Sequence, residues 1–171
     1  MNEKKLNSAE VNFLYKAHGP ALAAYACCRG VDFASGEDAV QQVFLKLLQA
    51  SAPAPGNPVA YLYRAVKNSA LNTLRNRGRD AELPDDELWF AHPMANPAEV
   101  LSLQVALRAL PEDQRETVFL RVWSGMTLQE IAEATDSPLN TVASRYRYAL
   151  EKLRAQLGEG AGKARMGHAK G

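Results

Sequence analysis

A run of amide, hydroxyl and guanidinium side chains lies along one side of a predicted helix near the C-terminus. These groups donate and accept hydrogen bonds in the patterns that base edges and phosphates offer, so the chemistry they favour is nucleic-acid recognition. The residues are Asn140, Thr141, Ser144, Arg145 and Arg147. Apolar residues at helical spacing on the opposite side, beginning at Val142, predict that this helix packs on a bundle and leaves its polar side free.

The residues around this helix divide the region into three predicted helices. Pro111 suits the start of the first and Gly125 its end, and Thr127 begins a capping box for a short second helix. Ser137 and the proline after it predict the start of the third helix, as a cap and a first-turn residue. A short helix, a tight turn and a longer helix form a helix-turn-helix, whose second helix enters the major groove. An ordinary three-helix bundle with solvated polar residues is the structural alternative.

A second basic surface is predicted on the helix that starts at Asn57-Pro58. Between Val59 and Arg79 the sequence has five cations and no acid. Cations that follow phosphates, together with amide and aromatic groups that bond or stack with bases, suit a single strand of nucleic acid. The residues of this type are Tyr61, Arg64, Lys67, Asn68, Asn72 and Arg75. A solvated helix end is the alternative interpretation.

Two earlier helices are predicted, one from about Ser8 to Arg29 and one capped by Ser35-Gly36-Glu37-Asp38. The second has an apolar stripe for the core, made of Val40, Val43, Phe44, Leu47 and Leu48. Its other side carries Asp38, Gln41, Gln42 and Leu45. An apolar side chain among polar ones is typical of a partner-docking face, although single exposed leucines are also common.

The predicted fold class is all-α, with two small helical domains joined by an acidic linker. The segment Asp80–Glu99 contains six acids and neither Lys nor Arg, and it has no helical period before Asn96. We therefore expect a first domain at residues 8–79, a linker at 80–95 and a second domain at 96–157. The glycine-rich segment 158–171 is expected to be a disordered tail.

Composition excludes several other classes of protein. The 171 residues carry a net charge of +1, no run is long enough to span a membrane, and the N-terminus lacks an apolar signal core. A cytoplasmic location without membrane insertion follows as an expectation. The adjacent Cys27 and Cys28 cannot cross-link distant segments, and small buried thiols are favoured over a redox- or metal-switched sensor. Because no catalytic or metal-ligand spacing is visible, we expect neither an enzyme nor a cofactor.

Four segments in this order resemble the extracytoplasmic-function (ECF) group of bacterial sigma-70 factors, the specificity subunits of RNA polymerase. They are Gly36 to Phe44, Tyr61 to Asn68, Leu110-Pro111 and Thr127 to Arg145. The resemblance covers about Val11 to Leu157. Asp136 stands where the family usually has a turn glycine, so we expect this aspartate to adopt the left-handed conformation.

The resemblance implies a role for each set of residues. Core polymerase docking, on the coiled coil of its largest subunit, falls on Asp38, Gln41, Gln42 and Leu45. Capture of the melted −10 strand falls on Tyr61, Arg64, Lys67, Asn68, Asn72 and Arg75, with residues 51–57 as the base-reading loop. Recognition of the −35 duplex falls on Asn140, Thr141, Ser144, Arg145 and Arg147. The implied partners are core RNA polymerase, through its largest and flap-bearing subunits, promoter DNA and an anti-sigma factor. The alternative is a dimeric helix-turn-helix regulator independent of polymerase.

Overall fold

The computed structural model describes residues 5–49, 54–78 and 96–167, and side chains as far as residue 158. The predicted linker 80–95, part of the loop 51–57 and the last four residues lie outside the described residues. The described part contains helices and no strand, as the all-α prediction requires. The helices are α1 (Ser8–Cys28), α2 (Phe33–Gln49), α3 (Pro58–Arg77), α4 (Pro97–Arg108), α5 (Glu112–Val122), α6 (Leu128–Thr135) and α7 (Leu139–Gly167).

The first three helices pack together as a bundle. Helix α1 starts with a capping box between Asn7 and Glu10, and α3 starts at the predicted Asn57-Pro58 cap, where the Asn57 side chain accepts from the Ala60 amide at 3.1 Å. Helices α1 and α2 lie so close that a Cβ at Gly36 would be 3.1 Å from the carbonyl oxygen of Ala23. A side chain at this position would push the two helices apart by a few tenths of an ångström, so glycine suits the close helix crossing.

The cap predicted for α2 at Ser35 is wrong, because the helix begins at Phe33. The carboxylate of Asp32 accepts from the Ser35 amide at 2.7 Å, so an aspartate earlier in the chain satisfies the free amides of the first turn. Hydrogen bonds from Ser35, and then the contact with Arg77 on α3, hold the pKa of Asp32 below its usual range.

Helices α4 to α7 form a second bundle, in which α7 contacts each of the other three. Thr127 and Glu130 form the predicted capping box of α6. The turn after α6 is left-handed at Asp136, with φ 51° and ψ 47°, which confirms the expectation for this position. Gly125, with φ 65°, makes the turn that follows α5. The helix-turn-helix is therefore present, with a short α6, a tight turn and a longer α7.

Three further details differ from the sequence prediction. Pro111 precedes α5 as its N-cap residue and does not open the helix. Leu48, assigned to the core stripe, is 51% exposed, because it lines an open groove between α1 and α2 instead of packing in the core. Helix α7 continues to Gly167, where a disordered tail was expected from residue 158. Extending an existing helix needs no new nucleus, and this explains why so glycine-rich a segment can continue it.

The two bundles pack against each other through α1 with α5 and through α3 with α6. Tyr25 of α1 lies between Tyr63 of α3 and Phe119 of α5, with ring centroids 5.2 Å and 6.1 Å away. The buried apolar residues of both bundles form one continuous cluster. The sequence predicted two domains connected by a tether and indicated no contact between them.

Candidate nucleic-acid interface

The outer face of α7 presents the side chains predicted to bind duplex DNA. Val142, Ala149 and Leu153 are buried against the bundle, so the opposite side of the helix faces outward. Asn140 and Arg147 are exposed, and Thr141 and Ser144 are partly exposed. The guanidinium of Arg147 lies 4.9 Å from the ring centre of Tyr148. Amide, hydroxyl and guanidinium groups thus share one accessible face, which is what major-groove readout needs.

Arg145 is engaged within the second bundle. Its Nη1 donates to the Ser137 hydroxyl at 3.0 Å, and its Nη2 forms an ion pair with the Asp113 carboxylate at 2.9 Å. The same hydroxyl donates to the carbonyl of Thr135 at 3.3 Å. Arg145 therefore ties α7 to the turn before it and to the start of α5. Ser137, expected as a cap, supports this arginine.

Helix α3 presents the residues predicted to bind a single strand. Tyr61, Arg64, Asn68, Asn72 and Arg75 recur at i, i+3, i+7, i+11 and i+14 and are all exposed, so they form one stripe along the helix. The opposite side, including Leu62, Val66 and Ala70, is buried in the first bundle. Lys67 lies beside this stripe and is half-buried.

The two cations nearest the second bundle already contact it. Arg64 donates through Nη2 to the backbone carbonyl of Glu133 at the end of α6. Lys67 Nζ lies 3.0 Å from Oε1 and 3.1 Å from Oε2 of Glu116 on α5. The Asn57 side chain also donates to Glu133, at 3.5 Å. The start and middle of α3 thus contact α5 and α6 although Tyr61 and Arg64 remain exposed, and Asn68, Asn72 and Arg75 are exposed further along the helix.

Glu116 is the centre of a cluster of charged groups between the bundles, which we call the interdomain charge cluster: Tyr25, Arg29, Lys67, Glu112 and Glu116. The Glu116 side chain is only 3% exposed. It accepts from the Tyr25 hydroxyl, and Arg29 Nη1 lies 3.4 Å from its Oε2. Arg29 Nη2 also pairs with Glu112. Two cations of the first bundle therefore balance two carboxylates of the second, which is the condition under which buried charges are tolerated.

The interdomain charge cluster changes the acid–base behaviour of Tyr25. Burial, followed by the charge of Glu116 and the hydrogen bond to it, raises the pKa of Tyr25 well above its ordinary value. The phenol consequently remains a hydrogen-bond donor at neutral and moderately alkaline pH.

A third surface lies on α1 and α2. Asp38, Gln41, Gln42 and Leu45 are exposed, as a docking face requires, and Leu45 is 54% exposed. An open groove of about 550 Å³ runs beside them, lined by residues of both helices. Those residues are Ser8, Val11, Asn12, Tyr15, Gln41, Phe44, Leu45 and Leu48. Leu48, which was predicted to lie in the core, thus adds to the apolar part of this surface.

Other possible chemistries receive no support from the described residues. Cys27 and Cys28 are buried, and burial raises the pKa of Cys28 to about 12. Thiols of this kind are poor nucleophiles. No group of His, Cys, Asp and Glu among the described residues could hold a metal ion. Among those same residues, no helix has the length and hydropathy of a membrane span.

The interdomain charge cluster is the part of the site that sequence reasoning missed. Two signals pointed toward it: the segment 111–136 holds six acids against two arginines, and the helix 59–79 holds cations alone. Each imbalance by itself also fits a surface that faces solvent or DNA. That the two surfaces meet depends on how the bundles pack.

Comparison with known proteins identifies the class to which this fold and these surfaces belong. The sigma-70 region 2 family model matches residues 14–80, and the sigma-70 region 4 model matches residues 101–153. Together they cover most of both bundles.

Individual relatives narrow the class further. The chain is 33% identical over 135 residues to the ECF RNA polymerase sigma-E factor of Escherichia coli K12, which covers 68% of this chain and 70% of that protein. It is 25% identical over 154 residues to the ECF RNA polymerase sigma factor RpoE of Cereibacter sphaeroides, covering 84% of each. The chain belongs to the ECF sigma factors of the sigma-70 family.

Solved structures agree in fold. The sigma factor RpoE of Bartonella quintana, crystallised with the anti-sigma factor NepR, superposes with a TM-score of 0.68 at 25% identity. That comparison covers 86% of this chain and 95% of the other. CnrH, solved with the cytosolic domain of CnrY, has the same fold, with a TM-score of 0.60 at 24% identity and 90% coverage of each chain.

Proposed function

We propose that this sigma factor binds core RNA polymerase and directs promoter-specific transcription initiation in the cytoplasm. The observation that carries the proposal is the presence, in one chain, of a region 2 bundle with an exposed polar stripe and a region 4 bundle with an outward-facing helix-turn-helix. A dimeric regulator independent of polymerase needs only the region 4 bundle. The similarity to ECF sigma factors across both bundles favours transcription initiation with core polymerase.

The work of the protein is binding, without any change of covalent bonds. We assign core polymerase docking to the exposed face of α2, namely Asp38, Gln41, Gln42 and Leu45. The α3 stripe with Lys67 would hold the melted −10 strand, with cations on phosphates and Tyr61 and the asparagines on bases. Holding unpaired bases offsets the cost of flipping them, a few kcal/mol each.

The outer face of α7 would recognise the −35 duplex. The residues accessible for base or phosphate contacts are Asn140, Thr141, Ser144 and Arg147. Arg145 would contact DNA through the guanidinium hydrogens that its bonds to Ser137 and Asp113 do not use. Because the Bartonella quintana relative was crystallised with an anti-sigma factor, we also propose an anti-sigma factor as a partner of this chain.

The test is to add the purified chain to core polymerase and map transcription start sites across the genome. We expect new starts that share −10 and −35 sequences, and no start above core polymerase alone would refute the function. Arg64→Ala combined with Arg75→Ala should impair open-complex formation and leave core binding intact. Leu45→Asp should weaken core binding itself, and open-complex formation with it, since it places a charge on the docking face. Equal loss of core binding in both would refute the assignment of faces.

A second measurement examines α7 directly. The logarithm of the affinity for the −35 duplex should fall linearly with the logarithm of the salt concentration. Arg147→Ala should make this slope shallower by about one unit, because one phosphate contact is lost. An unchanged slope would remove Arg147 from the DNA-binding face.

A further inference from the structure

The packing of the two bundles has a consequence for the strand-binding surface. Two of its three cations, Arg64 and Lys67, are bonded to the second bundle, and the third, Arg75, is exposed. In both contacts the acceptor is an oxygen atom, a backbone carbonyl for Arg64 and a carboxylate for Lys67. Both contacts use hydrogen-bond donors that the same cations would need for the phosphate oxygens of a bound strand.

We propose that the interdomain charge cluster is a self-inhibitory latch, in which the carboxylate of Glu116 stands in for a strand phosphate and keeps the free protein closed. This proposal rests on the proposed function, since it concerns regulation of the same strand-binding surface. Strand binding then requires the second bundle to move off α3, so the affinity of the free chain is reduced by the fraction of molecules that are open.

The charges and burial favour a latch over an incidental contact. Glu116 is nearly inaccessible, and its partners come from two different helices of the first bundle, Arg29 at the end of α1 and Lys67 on α3. Removing any one member leaves another charge buried without its full set of partners, and such defects are costly. The closed form is therefore stabilised as a unit, and weakening one contact weakens the whole interface.

The latch makes a prediction that simple electrostatics does not. Glu116→Gln removes an anion and Arg29→Gln removes a cation, so a purely local charge effect would strengthen nucleic-acid binding in the first variant and weaken it in the second. The latch requires both to bind a single strand more tightly, because both open the interface.

The experiment measures two properties of the full-length chain: its radius of gyration by small-angle X-ray scattering, and its affinity for fluorescein-labelled oligo(dT) by anisotropy. We expect both variants to expand and to gain about tenfold in affinity. Glu112→Gln changes a half-exposed partner of Arg29, so it should fold normally and gain about two- to fivefold.

Matched controls separate the latch from general charge effects. Glu99→Gln neutralises an exposed carboxylate on α4, and Lys16→Gln neutralises an exposed cation on α1. Neither should expand the protein or tighten oligo(dT) binding. Circular dichroism confirms that each variant is folded. If Arg29→Gln folds but binds more weakly while Glu116→Gln binds more tightly, or if no latch variant expands, the latch is refuted.

Core polymerase binding, measured on the same proteins, distinguishes the two proposals. Variants that open and gain oligo(dT) affinity in a chain that never binds core polymerase would refute the proposed function and not the latch. A chain that binds polymerase and initiates transcription, but whose latch variants gain nothing, would refute the latch and not the function.

Discussion

Replacing Tyr25 with phenylalanine tests the contact on which the closed arrangement depends most directly. The Tyr25 ring is buried between Tyr63 and Phe119, and its hydroxyl donates to the carboxylate of Glu116. Tyr25→Phe keeps the ring contacts and removes the hydrogen bond alone. The change therefore isolates one polar contact between the two bundles.

The size of the effect follows from the partners that remain. A hydrogen bond to a charged group contributes about 1.5–3 kcal/mol. Glu116 keeps Lys67 Nζ at 3.0 Å and Arg29 Nη1 at 3.4 Å, so its carboxylate is still paired after the substitution. We therefore expect the lower part of the range, about 1.5–2 kcal/mol of unfolding free energy. For a chain of this length that corresponds to a fall in Tm of about 3–8 °C.

The assay is urea unfolding of the full-length chain followed by far-UV circular dichroism, with a thermal scan in parallel. Tyr148→Phe is the matched control, because Tyr148 is 46% exposed on α7. Its substitution should change the free energy of unfolding by less than about 0.5 kcal/mol. If Tyr25→Phe lowers the free energy of unfolding no more than this control does, the Tyr25–Glu116 bond does not stabilise the protein in solution. That result would refute the role assigned to this contact in holding the two bundles together.

Three further predictions concern pH, the thiols and the turn of the helix-turn-helix. Because the pKa of Tyr25 is raised in the folded state, its contribution to stability is complete below about pH 10 and is lost as pH rises toward the folded-state pKa. In urea unfolding above about pH 10, the free energy of unfolding of the Tyr25→Phe variant should therefore fall less steeply than that of the parent, by up to about 1.4 kcal/mol per pH unit. Identical slopes would contradict this. Buried Cys27 and Cys28 should react with Ellman's reagent at pH 8 only after denaturation, and rapid labelling of the native protein would revive the redox-sensor alternative. Asp136→Gly should stabilise the protein by about 0.5–1 kcal/mol in urea unfolding, because glycine adopts the left-handed conformation without a Cβ clash, whereas a loss of stability would show that the Asp136 side chain is needed there.

Local features of the fold were predictable from the chain alone. The Asn57-Pro58 start of α3, the Thr127–Glu130 capping box and the left-handed turn at Asp136 each depend on residues within a few positions of one another. The same holds for the exposed stripe of α3 and the outer face of α7, because helical periodicity assigns each side chain to the inside or the outside of its own bundle. Both family regions and their order are recognisable for this reason.

Contacts between distant segments were not predictable in this way. Tyr25 and Glu116 are 91 positions apart, and nothing in the spacing around either indicates that a phenol and a carboxylate will meet. Arg145, expected to contact DNA, is paired with Asp113, and the spacing of the sequence does not indicate this contact either. Periodicity shows which side of a helix is apolar, but charged side chains at its border can face solvent, DNA or another helix. Which of these they face depends on tertiary packing: packing within the second bundle places Arg145 against Asp113, and packing between the bundles places Lys67 against Glu116.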